Sequence, residues 1–341
     1  MEKSLLVARL AADRARWLHA CLGLDQALLT GRLVLGDWTI LHLLAGAGEY
    51  DALYANVIPA ALAGTLKETG IHDLAAHDFT LRDRFAGWSL EKVLTYLAES
   101  RAALLTALGS VPESALGRTH QFPWVGGFKA RRGQGSIATF IKWRFLHDNS
   151  AREDIQRWRK ENDLTETAFP GPKALLLAAL EAAEADFWAT AALVPESERE
   201  TRGVCGAWSL KDLLGHMADW DDHYINLILT MLGEPTDFWA EEPETDAQND
   251  RLYQARRGDP WAKAYAECTG NRRWMLERLR GLDEATLRRP YTGRLEVGYP
   301  TLFHCYWSAA EHYLVHTAVM RRELGTPLPA YLLQFKGLFG D

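Results

Sequence analysis

The sequence predicts an all-α protein built as two tandem four-helix bundles, and three observations carry that prediction. Apolar residues recur at i, i+3, i+4 and i+7 through several long segments; no segment sustains the period-two alternation of a half-buried strand; and the chain matches itself at a shift of about 170 positions. With 341 residues, 48% hydrophobic and 24% charged, the chain is long enough for two domains, each with a core of its own.

The first copy is expected to place its helices at 3–23, 39–62, 89–109 and 136–160. The second places them at 172–193, 209–232, 245–282 with an interruption near 258–260, and 300–325. The shift sets Gly36 on Gly206, Trp38 on Trp208, Asp51 on Asp221, Tyr54 on Tyr224 and Asn56 on Asn226 without a gap. A second block lays "ESRAALLTALGSVPESAL" (99–116) over "GNRRWMLERLRGLDEATL" (270–287), with Arg101 on Arg272. Two prolines and a glycine in "TETAFPGPK" (165–173) break the helical pattern, so the domains are drawn as 1–165 and 166–341.

Ser209 is suited to cap the helix that follows it, Asp212 completes a capping box, and Trp208 is placed to staple onto Leu213. Thr39 caps the equivalent helix, but His42 stands where Asp212 would supply the reciprocal carboxylate. Trp38 and Trp208, recurring at one repeat position, are expected in the core.

The formal charge of −7 divides into +2 for residues 1–165 and −9 for residues 166–341, so neither half is the strongly basic body of a dedicated nucleic-acid binder. The basic stretch "FKARRGQG" (128–135) reads as an exposed loop and gives a DNA contact only weak support. Apolar runs such as "ALLLAAL" (174–180) fall well short of the roughly 18 residues of a membrane span. The start of the chain is charged rather than signal-like, and the expected location is the cytoplasm. Cys21, Cys205, Cys268 and Cys305 show no CxxC spacing, which argues against a disulfide framework or a thiolate metal site. No histidine lies at a recognisable spacing from Cys205, which gives no reason to read it as a nucleophile.

Histidines supply the candidate chemistry. His312 and His316, four apart in "AEHYLVHTAVMRREL", project from one helical face and form a chelating pair that needs a third ligand from another helix. His216, in the middle of an apolar pattern, is the natural third. From spacing alone, core filler and chance remain competing explanations for these residues. His223, seven residues after His216 and on nearly the same face, is a candidate base, and a partly exposed helix histidine is its competing reading. Asp219 and Glu311 are candidates to orient ligand imidazoles, Asp219 joining His223 in the candidate catalytic set. Solvated charges are the alternative for both.

The pattern W-S-L-K-D-L-L-x-H, then "TDAQNDRLYQ", then H-Y-L-x-H resembles the DinB/YfiT-like superfamily of four-helix bundles. "DAQND" and "EHYLVH" most resemble its ClbS/DfsB-like branch. The resemblance covers nearly all of 170–325 and, more faintly, 1–160. It implies that His216, His312 and His316 hold a divalent transition metal, with zinc, nickel, iron and manganese all suited to three neutral imidazoles. It further implies a metal-dependent detoxification or self-resistance enzyme that activates water or a low-molecular-weight thiol against a small electrophile. The alternative is a non-catalytic immunity protein that sequesters a hydrophobic ligand or protects DNA. In the first copy Gly46 replaces His216 and Ala151 replaces His316, while His147 aligns with His312. One ligand cannot hold a metal, so this copy is read as degenerate. A covalent tandem of this kind is expected to be a monomer with an internal pseudo-dimer.

Overall fold

The computed structural model describes residues 2–66, 80–121, 134–164, 170–236, 245–292 and 299–326. Residues 165–169 of the expected linker and residues 128–133 of the basic stretch lie outside them. The chain divides into two compact units, Met1–Ala178 and Ala179–Asp341. The fold is all-α, and among the described residues no helix is long and apolar enough to cross a membrane.

The first unit runs α1 (Lys3–Cys21), α2 (Gln26–Gly31), β1 (Leu33–Leu35), β2 (Trp38–Thr39), α3 (Ile40–Ala63) and α4 (Leu90–Gly109). It continues through α5 (Glu113–Leu116), β3 (Thr119–Gln121), β4 (Gln134–Ser136) and α6 (Ile137–Glu161). Helix α7 (Lys173–Ala191) spans the division. The second unit then has β5 (Gly203–Cys205), β6 (Trp208–Ser209), α8 (Leu210–Leu232), α9 (Thr245–Arg256), α10 (Trp261–Gly281), α11 (Glu284–Arg288) and α12 (Leu302–Glu323).

The long helices fall where apolar periodicity places them, and Pro260, with no N–H to donate, sits at the N-cap of α10 and separates it from α9. The strand pairs and short helices have no counterpart in the sequence reading, because two or three residues are too few to display a period. In β1–β2 the partners are Leu33↔Thr39 and Leu35↔Trp38; in β5–β6 they are Gly203↔Ser209 and Cys205↔Trp208, each residue 170 further along. The turns use Gly36 (φ 53°) and Gly206 (φ 59°), left-handed positions that favour glycine. Both following helices end on a left-handed glycine, Gly64 and Gly233.

In the first unit α3 packs along α4 and α1 along α6, around a core that includes Leu10, Tyr54, Ile58, Leu104, Leu108 and Ile141. An ion cluster lies in the middle of these helices. The carboxylate of Asp51 accepts from Arg14 Nη2 (3.1 Å), Arg101 Nε (2.8 Å) and Arg144 Nε (2.6 Å). Asp148 accepts from Arg14 Nε (3.2 Å), Arg101 Nη2 (2.8 Å) and Arg144. All five side chains are buried. Burial alone would raise the Asp51 carboxyl, but Arg101, Arg144 and Arg14 together hold it well below the usual range. For Arg14, burial and then the neighbouring Arg101 lower the guanidinium to about 10.

Removing one partner of a buried ion pair leaves an uncompensated charge, at a typical cost of about 3–5 kcal/mol. Asp51→Ala, which leaves three guanidiniums on one carboxylate, is therefore expected to destabilise the first unit by about that amount. A lower urea midpoint in circular dichroism checks this, and an unchanged midpoint would contradict it.

Candidate metal centre

The helix that carries His216 starts with a capping box: Ser209 Oγ accepts from the Asp212 N–H at 3.3 Å, and Asp212 Oδ2 accepts from the Ser209 N–H at 3.0 Å. The equivalent start in the first unit is also a closed box. There His42 Nδ1 takes the place of the carboxylate and accepts from the Thr39 N–H at 3.4 Å, so the missing acid is replaced by an imidazole lone pair.

Two turns on, Asp221 fixes α8 against its neighbours. It accepts from Tyr313 Oη at 2.9 Å and from Arg272 Nη2 at 3.0 Å, and the Arg272 guanidinium lies over the Tyr313 ring, 3.6 Å from its centroid. One carboxylate therefore ties α8 to α10 and to α12, and it meets α12 at the residue next to His312. Tyr313 cannot be moved along its helix without carrying His312 with it.

With those helices fixed, the three histidines meet. His216 Nε2 lies 3.1 Å from His312 Nε2 and 2.9 Å from His316 Nε2. His216 and His312 are buried and His316 half-buried. Burial, then the neighbouring His316, keeps His216 well below the ordinary histidine range; burial, then His316, His216 and Arg272, does the same for His312. Burial alone brings His316 to about 4. All three imidazoles are neutral at pH 7, the form that ligates.

This geometry fits a divalent transition ion. Two nitrogens at about 2.1 Å from a metal and at right angles to each other are about 3.0 Å apart, the separation found for His216 with each of the other two, and all three ligand atoms lie within 4.8 Å of one another. With each ring protonated at Nδ1, the three Nε2 lone pairs face one another, an arrangement that a shared cation would stabilise. The donor set is all imidazole, which suits first-row transition ions better than calcium or magnesium.

The environment differs from the sequence expectation in several places. Trp38 and Trp208 are both half-buried rather than in the core, and the Trp208 ring lies against His216 (centroids 4.8 Å apart) and stacks on Tyr253 (6.0 Å). In the first unit Trp38 folds over Gly46, where a Cβ would stand 3.3 Å from its ring, and Leu81 closes the same space. The tryptophan thus occupies the room that a ligand imidazole takes in the second unit. His147 is exposed and lies against Tyr50.

Asp219 is not aimed at a ligand imidazole; both of its oxygens accept from Arg256 Nε at 2.8 Å. The Nδ1 atoms of His216 and His312 have no hydrogen-bond partner among the described residues, so neither Asp219 nor Glu311 orients them. Glu311 is half-buried, and burial raises its carboxyl to about 7. His223 is buried rather than partly exposed, behind Trp220, which also touches His216 and His312.

Sequence reasoning missed two further groups. Cys205 Sγ is 3.8 Å from His316 Nδ1, a contact that sequence spacing could not reveal because 111 residues separate them. A cleft beside His216 is lined by Trp208, Gly215, Asp219, Tyr253 and Arg256. A clue to that wall was present, since tryptophans 170 positions apart face glycine in the first unit and histidine in the second.

Comparison with known proteins supports the superfamily resemblance of the second unit. Searches of curated proteins and of solved structures returned no match. The family model of the DinB superfamily matches residues 179–320, a stretch that contains His216, His312 and His316, so that part of the chain is similar to this superfamily.

Proposed function

We propose that the second unit is a metal-dependent detoxification or self-resistance enzyme that directs water or a low-molecular-weight thiol onto a small electrophile. The convergence of three neutral Nε2 atoms, two buried and one half-buried, with His216 at the edge of a cleft, supports this most strongly. A divalent cation held by His216, His312 and His316 supplies Lewis acidity, which makes water or a thiol nucleophilic at neutral pH.

The chain's own residues set the surroundings for that chemistry. Trp208 and Tyr253 present aromatic faces to a substrate in the cleft, while Trp208 and Trp220 shield His216 from bulk water. Arg256 is held by Asp219 and Glu267, so its role in this reading is to pin α9 across the cleft rather than to bind a free anion. His223, kept neutral by burial, is the proton acceptor we propose on the Trp220 side of the triad. The kinship with the ClbS/DfsB-like branch rests on "DAQND" and "EHYLVH". We read the first unit as the degenerate product of a duplication, a reading supported by the recurrence of hairpin register, cap and central aspartate.

Protein purified without a metal-affinity tag is expected to carry about one equivalent of transition metal per chain, lost in His316→Ala, because two imidazoles make a poor site. Turnover of an epoxide or activated alkene should fall at least about 100-fold in that variant, the several kcal/mol that a Lewis acid supplies. Stoichiometric protection that survives His316→Ala would replace catalysis with sequestration.

The His223 imidazole is lowered by burial to about 4 from its ordinary 6.5. A depressed base contributes stability that is fully present above pH 6.5 and is lost as pH falls from 6.5 towards 4, where only the unfolded chain takes up the proton. His223→Gln should therefore flatten part of the acid dependence of unfolding in that window. A parallel dependence in both proteins would contradict a buried neutral His223.

A further inference from the structure

We infer that Cys205 is a positioning residue for the metal centre, its sulfur accepting the Nδ1–H of His316 and holding that ring with Nε2 turned towards His216. The inference rests on the metal reading above and concerns how the third ligand is fixed. A histidine that ligates through Nε2 carries its proton on Nδ1, and a partner for that proton sets both tautomer and ring orientation. His316 is the least buried of the three ligands, and its Nδ1 faces Cys205 Sγ at 3.8 Å. The corresponding atoms of His216 and His312 have no such partner among the described residues, and those two rings are held by burial and by aromatic neighbours instead.

The hairpin gives this contact a structural logic. Cys205 and Trp208 are cross-strand partners, Cys205 reaching His316 on α12 and Trp208 covering His216 on α8. One register pair thus grips two ligands from two helices. In the first unit the same register pairs Leu35 with Trp38, and Leu35 is 44% exposed. Leucine offers no acceptor, and the two ligand positions there are Gly46 and Ala151. The acceptor is missing together with the ligands it would serve, while the hairpin itself remains.

Cobalt(II) titration of metal-free full-length protein tests this, with affinity read by chelator competition and geometry by the visible d–d bands. Cys205→Ala is expected to weaken cobalt binding about 10-fold, the lower end of what outer partners of metal ligands contribute, and to shift the bands. Cys205→Ser keeps an acceptor and should stay within about threefold of wild type with the wild-type bands. Circular dichroism unchanged in both variants separates the effect from misfolding. Equal affinity and spectra in wild type and Cys205→Ala would overturn the inference and leave the metal reading standing. A thiolate-to-cobalt charge-transfer band in wild type, lost in Cys205→Ser, would also overturn it by making the sulfur a ligand. Wild type that takes up no cobalt would overturn the metal reading itself.

Discussion

The carboxylate of Asp221 is the contact on which the meeting of the three histidines in the second unit depends. It joins Arg272 and Tyr313, so α8, α10 and α12 share a fixed axial register. His216 lies five residues before Asp221 on one helix, and His312 is adjacent to Tyr313 on another. A slip of one residue at this lock would rotate a ligand by about 100° around its helix. Separations near 3 Å between Nε2 atoms tolerate nothing of that size. The lock is costly to bury, and burial raises Asp221 to about 6 even with Arg272 beside it. A buried polar group held for positional precision is consistent with that cost.

The first unit shows what the same architecture does without the histidines. Asp51 and Arg101 occupy the positions of Asp221 and Arg272, but Asp148 stands in place of Tyr313, and Arg14 and Arg144 enlarge the pair into a five-residue cluster. At the ligand end, Trp38 and Leu81 fill the space above Gly46. Interior space is rarely left empty, because unfilled volume forfeits dispersion and transfer energy. Where the first unit has Gly46 in place of an imidazole, the Trp38 ring lies over it. In the second unit the equivalent Trp208 lies against the His216 ring and stacks on Tyr253.

Helical periodicity and punctuation made most of the fold legible in the sequence. The long helices, the break at Pro260 and the two capped helix starts follow from local chemistry that needs no tertiary context. The recurrence of Asp51 with Asp221 and of Arg101 with Arg272 was also visible, but nothing local says that an aspartate inside an apolar pattern is paired rather than exposed. The three histidines could be nominated, since two share a helical face and the third interrupts an apolar stripe. Their partners could not. Cys205, Arg256 and Tyr253 reach the site through the hairpin and through α9, whose placement depends on long-range packing. Asp219, the right residue type on the right helix, was claimed by Arg256, a competition that appears only in three dimensions.

Three imidazoles and no sulfur are expected to hold a transition ion in the second unit. X-ray absorption at the metal edge, on protein purified without a metal-affinity tag, tests it most directly. The expected result is a nitrogen shell at about 2.0–2.1 Å with the multiple scattering of three imidazoles. A sulfur scatterer near about 2.3 Å, a count of fewer than three imidazoles, or protein that holds no metal would contradict it.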